Sequence, residues 1–173
     1  MHMEKTPELD RLSHFLTIFN HESERGAALL AGSILDELLL EILEAYLITS
    51  KSSRELIQGF NAPLGTFSSR NKACHALGLI TDIEHEEIDI IRKIRNEFGH
   101  TWDIVSFDNN KINELTKKLS WRGPQDEENP INGQNFKMSA AMLVVDLMYR
   151  SRLVKKEKIQ PKVWAHTLRS ESE

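Results

Sequence analysis

The stretch GAALLAGSILDELLLEILEAYLI, residues 26–48, is apolar over most of a helical circumference. A helix that is apolar nearly all round needs neighbours on several sides, so this one predicts the centre of a helical bundle. Gly26, Ala27, Ala28, Ala31 and Gly32 cluster at its start. Each glycine costs about 1 kcal/mol of helix stability against alanine. A close approach by another helix, from the same chain or from a second copy, would offset that cost. Asp36, Glu37, Glu41 and Glu44 interrupt the apolar pattern and are expected mostly to face water. The expected helix runs from about residue 22 to 49.

Helical periodicity continues on both sides of this segment. In TPELDRL (6–12), Thr6 suits an N-cap and Pro7 the first helical position. Leu9, Leu12, Phe15, Leu16 and Phe19 then form one stripe. SSRELIQGF (52–60) pairs Ser52 with Glu55 as a capping box and ends at Gly59, and NAPLG (61–65) is a turn. TFSSRNKACHALGLI (66–80) is a further helix stopped near Gly78. A second capping box, Thr81 to Glu84, opens TDIEHEEIDIIRKIRNEFG (81–99), whose buried side is expected to carry Ile83, Ile88, Ile91, Ile94 and Phe98. Asp108 is the expected cap of a short helix over NNKINELTKKL (109–119). Residues 120–136 read as an exposed loop, the one stretch where disorder is expected. FKMSAAMLVVDLMYRSRLVKKEKI (136–159) reads as the last long helix, with a stripe through Met138, Met142, Val145 and Met148. The fold class is therefore all-α: one helical bundle over residues 1–173.

Composition narrows the function classes. The net charge of -4 over 173 residues gives no global basic footprint for nucleic acid. The basic residues Arg150, Arg152, Lys155, Lys156, Lys158, Lys162 and Arg169 do concentrate between 149 and 169, with Glu157 the one acid among them. That end is either a surface for an acidic partner or a solvated helix end whose cations favour the negative pole of the helix dipole. Arg150, Arg152, Lys155 and Lys156 are its candidate binding residues. The lone Cys74 lies in an apolar-periodic stretch and reads as a buried, inert thiol. No apolar run reaches the roughly 20 residues of a membrane span, and the N-terminus lacks a signal-peptide core. A cytoplasmic protein is expected. HEEID (85–89) lacks the second histidine of H-E-x-x-H, so no metal or other cofactor is expected, and His85 is placed on a solvated face. SSRELIQGFNAPLGTFSSRNKAC is the nearest approach to a helix-turn-helix, with Arg70 and Asn71 at the start of its second helix.

IRKIRNEFGH (91–100) is the stretch that carries chemistry. Arg95 and His100 lie five residues apart, which on a continuous helix turns them roughly 140° from each other. They meet only if the helix breaks before His100, and Gly99 permits that break. Arg95 would then supply a cation for phosphate and His100 a proton donor or acceptor near neutral pH, enough for metal-independent RNA cleavage. The bland alternative is a brace, in which Asp36 or Glu37 of the central helix pairs with Arg95. Arg70 and Asp36 are further candidate binding residues.

An R-N-x-x-x-H motif ending a helix in an all-α bundle resembles the R-x4–6-H motif of HEPN domains, which implies Arg95, Asn96 and His100 as a catalytic set. A longer resemblance runs over about residues 20–120. Pro63, Leu64, Gly65, Arg70, Gly78, Arg95, Asn96, His100 and Phe107, in that order, are similar to the mannitol operon repressor family. That resemblance implies a regulatory interaction protein, a transcriptional repressor with no recognisable DNA-reading element, acting as a homodimer on a protein partner or nucleic acid. A HEPN-type ribonuclease or toxin is the alternative it leaves open.

Overall fold

The computed structural model describes residues 6–120 and 132–164. Among these residues all regular structure is helical: α1 (Pro7–His21), α2 (Glu24–Tyr46), α3 (Lys51–Ile57), α4 (Phe67–Ala76), α5 (Asp82–His100), α6 (Asn110–Thr116), α7 (Asn132–Met148) and α8 (Arg150–Val154), followed by a 3-10 turn, Lys155–Glu157. The all-α expectation holds.

The central role read from residues 26–48 also holds. Helix α2 packs against α4, α5, α7 and α8, with α1 and α3 at its flanks. Ala27, Ala28, Ala31, Leu35, Leu38, Leu39, Ile42 and Leu43 are all buried on it. Phe98, Phe107, Phe136, Ile88, Ile91 and Ile94 close the same core from the other helices. The small residues at the start of α2 serve an approach inside the chain. A Cβ on Gly32 would stand 2.8 Å from Cγ of Arg95, so glycine is what lets α5 lie this close. These residues therefore give no reason of their own to expect a second copy.

Caps explain most boundaries. The Thr6 hydroxyl accepts from the Leu9 amide, the Ser23 hydroxyl from the Gly26 amide, and Thr66–Ser69 and Thr81–Glu84 form reciprocal capping boxes. Gly78 stops α4 in the left-handed region, at φ 70°. Two expected caps shift by one or two residues. Ser50 rather than Ser52 caps α3, accepting from the Ser53 amide, and Asn109 rather than Asp108 caps α6. In both places a neighbouring residue offers an equivalent side-chain oxygen.

Larger differences lie at the C-terminal end. Helix α7 begins at Asn132, inside the segment read as loop, and the expected single helix 136–159 breaks at Tyr149. Its buried stripe is Phe136, Ala140, Leu143, Val144, Leu147 and Met148, while Val145 is exposed. Of the expected stripe Met148 is buried, Met138 and Met142 are half-buried and Val145 is exposed, because Ser139 and Ala140 take the inward positions beside them: Ser139 is fully buried and its hydroxyl donates to the Ser120 carbonyl at 3.1 Å. Ile83 is exposed, since the first turn of α5 turns Glu84 inward instead. His85 is half-buried rather than solvated, stacked on His75 with ring centroids 4.3 Å apart. Cys74 is buried as expected; burial pushes its thiol up to about 12. No helix among the described residues is long and apolar enough to cross a membrane. Most of the expected loop (121–131) and the end of the basic segment (165–169) lie outside the described residues.

Candidate functional site

Helix α5 does not break at Gly99. It runs through His100 and ends at Thr101, which turns to extended backbone at φ -111°, ψ 138°. On this continuous helix His100 points away from Arg95, and the two do not converge within one chain. The fold-back expected from Gly99 is absent because the glycine packs in helical geometry beside Leu29 of α2, 3.7 Å from where its Cβ would be. Arg95 instead donates from Nη1 to Oδ1 of its neighbour Asn96, at 3.1 Å.

The brace through Arg95 is not formed either. Asp36 accepts from Nη1 of Arg70 at 2.8 Å, and Glu37 pairs with Arg11 at 3.2 Å. Arg70 is the brace. Its Nε donates to the Leu64 carbonyl at 3.1 Å and its Nη2 reaches the Ile57 carbonyl at 3.5 Å, which ties α2 to the α3–α4 turn. Its side chain is only 12% exposed, and each of its three nitrogens donates within the fold.

What the structure builds near the motif is a cavity of about 300 Å³ between α2, the start of α4 and α5. Ser33 and Asp36 line it from α2, Ser68 from α4, and Arg92, Arg95 and Asn96 from α5. Its charges are mostly matched. Arg92 donates to Asp89 through Nε and Nη2, at 2.9 and 2.8 Å, and Lys93 reaches the other oxygen of Asp89 at 2.8 Å. Burial of Asp89 opposes its ionisation, but the bonds from Lys93 and Arg92 outweigh this and hold its carboxyl below the usual value. Asp36 is matched by Arg70. Arg95 alone has no carboxylate partner among the described residues. Sequence reading found Arg95, Asn96 and Asp36 but missed Ser33, Ser68 and Arg92. Arg92, three residues before Arg95 on the same helix, was legible from helical phase; Ser33 and Ser68 are set beside it only by how α2 and α4 pack on α5.

The basic end divides. Arg150 is spent inside the fold, with Nη2 on Glu84 at 2.6 Å and Nη1 on the Leu79 carbonyl at 2.9 Å. Arg152, Lys155 and Lys158 share an open groove with Glu8, Glu41 and Glu44, so their charge meets acids of the same chain. Lys156 borders a separate groove with Tyr46, Leu77 and Leu153. Among the described residues, Arg150 to Lys158 are thus divided between the interior and two grooves.

A feature that sequence reading passed over lies just past α5. Trp102 and Ile104 are 94% and 96% exposed on a connection whose backbone is held by Arg25, donating to the Asp103 carbonyl at 2.6 Å.

No protein-family model matches the chain, and no curated protein matches its sequence. In three dimensions it is similar to a chain in the X-ray structure of the MtlR–HPr complex from Escherichia coli. The TM-score is 0.55 at 19% identity, and the match covers 83% of this chain and 98% of that one. At that identity the likeness speaks to architecture: the chain has the all-helical fold of the mannitol operon repressor.

Proposed function

We propose that the protein is a regulatory interaction module that works by engaging a protein partner of the HPr type. The observation that carries this reading is the fold shared, over nearly the whole of the matched chain, with a component of a complex containing HPr. Two features of this chain support it. The residues nearest to a DNA-reading helix turn inward: Arg70 is pinned, and Asn71, 1% exposed, donates to the His85 carbonyl at 3.0 Å. Trp102 and Ile104 supply instead the exposed bulky side chains that anchor protein interfaces. Any repression then runs through the partner rather than through base contacts.

Calorimetric titration with purified HPr is expected to give saturable binding. Trp102→Ala should weaken it about tenfold or more while leaving the melting temperature unchanged, since the indole contributes to no core. HPr that stays unbound would overturn the reading, and wild-type affinity in the variant would move the interface elsewhere. The proposal includes a homodimer, supported by the family resemblance alone. Light scattering that returns the 19.9 kDa mass of one chain would remove it.

A further inference from the structure

We propose that the cavity beside Arg95 binds a small hydroxylated oxyanion of the sugar-phosphate class, as an effector site separate from the partner surface. Arg92 and Arg70 are each matched by an aspartate, at 2.8 Å in both cases, and Arg95 has none among the described residues. The cavity therefore holds one surplus positive charge, carried on a planar donor fork suited to phosphate or carboxylate. The aliphatic stem of Arg95 lies over Gly32, which fixes the start of this exposed side chain at the cavity wall.

Hydrogen-bonding capacity around that charge is also unspent. The Ser68 hydroxyl and Nδ2 of Asn96 have no partner among the described residues. The Ser33 hydroxyl donates to the Leu29 carbonyl at 2.9 Å and keeps its acceptor capacity. Asp36 gives Oδ1 to Arg70, and its second oxygen remains an acceptor for a ligand hydroxyl. A bare anion would use the guanidinium, the Ser68 hydroxyl and the Asn96 amide, but would bring no donor for the Ser33 oxygen or the second Asp36 oxygen and would face that carboxylate's charge. A fatty acid would find hydroxyls and charges where it needs apolar wall. A nucleotide would find one aromatic side chain at the lining, Phe67, and no second face to sandwich a base. An anion bearing several hydroxyls uses both the charge and the hydroxyl-amide lining, and about 300 Å³ lies at the small-ligand end of binding cavities.

The test is amide chemical-shift mapping on the full chain at constant ionic strength, with glucose 6-phosphate, inorganic phosphate, glucose and AMP as probes. Glucose 6-phosphate is expected to shift Ser33, Ser68 and Asn96 saturably, and to bind more tightly than the other three. Arg95→Gln should weaken it by about tenfold or more, because a charge-assisted bond is lost. That variant keeps its fold, since Arg95 is exposed and makes no ion pair among the described residues. Ser33→Phe, at an exposed position of α2, should block the cavity and abolish the shifts without touching the guanidinium. Three results would each overturn the proposal: no saturable shift with glucose 6-phosphate, equal binding of inorganic phosphate or AMP, or undiminished binding by Arg95→Gln. None depends on whether HPr binds, so this site and the partner reading stand or fall separately.

Discussion

Arg150→Ala is expected to cost about 3 kcal/mol or more at neutral pH, because it strands a buried carboxylate. The Glu84 side chain is only 9% exposed and its partner Arg150 23%. Glu84 also receives the Thr81 amide as the second half of the α5 capping box, at 2.7 Å, so it cannot swing out to water without uncapping the helix. Arg150 further satisfies the Leu79 carbonyl beyond the end of α4. One side chain thus ties the start of α5, the α4–α5 turn and the start of α8. Burial disfavours the Glu84 charge, but the bonds from Arg150 and Thr81 outweigh it, and the carboxyl is held below its ordinary value. A lowered carboxyl contributes stability that is present above the unfolded value of about 4.3 and is lost as pH falls through the folded one. In Arg150→Ala only the Thr81 bonds still oppose burial, so the carboxyl rises relative to wild type and the stranded charge is relieved by taking up a proton. The stability gap between wild type and variant should therefore be wide at neutral pH and narrow in acid, in urea denaturation at both. Adding Glu84→Gln to Arg150→Met should recover part of the loss. A gap below about 0.5 kcal/mol at neutral pH, the size of an ordinary surface change, would show that the pair is not structural.

Phe107→Ala is expected to cost about 3–5 kcal/mol, the range for deleting a fully buried phenylalanine. Phe107 is 2% exposed. Its ring meets Phe98 of α5 edge-on, with centroids 5.1 Å apart, and Phe136 of α7 at 4.9 Å. Gly133 is packed against it so closely that a Cβ there would stand 3.1 Å from Cδ2 of the ring. The backbone is held as well: the Phe107 amide donates to Glu24, at the start of α2, at 2.9 Å. Truncation would open a cavity among three helices and release the connection that carries Trp102 and Ile104. Urea denaturation should show the loss in full, and HPr affinity should fall together with it. Phe107→Leu, which keeps most of the volume, should lose less than half as much. A cost below about 1 kcal/mol for the alanine variant would mean that the connection is held by something other than this ring.

Much of this architecture was legible in the chain. A segment as apolar as 26–48 has no stable place outside a bundle centre, so α2 followed from composition and period. Thr6 with Pro7, Thr66 with Ser69, and Thr81 with Glu84 marked helix starts or lay at them, because capping depends on residues within one turn. The errors fell where two local solutions were nearly equal. Ser50 and Ser52 cap equally well in isolation, as do Asp108 and Asn109. The stripe of α7 is right at Met148 and wrong at Val145, because hydrophobicity says nothing about how closely two helices can approach, and the small Ser139 and Ala140 take the inward positions.

The candidate site was legible only as a set of residue types. Sequence by itself determined the helices, their amphipathic faces and the presence of Arg95, Asn96 and His100 at the end of one of them, because these depend on neighbours within a turn or two. Tertiary structure alone decided the pairing of charges. Asp36 went to Arg70 and not to Arg95, Arg150 went inward to Glu84, and Gly99 stayed helical, so Arg95 was left unmatched beside a cavity and His100 turned away from it. An ion pair or a cavity wall is set by which helices cross and at what distance. The small-residue cluster announced that some helix would approach α2 closely; that it is α5, with the stem of Arg95 over Gly32, only the tertiary structure decided.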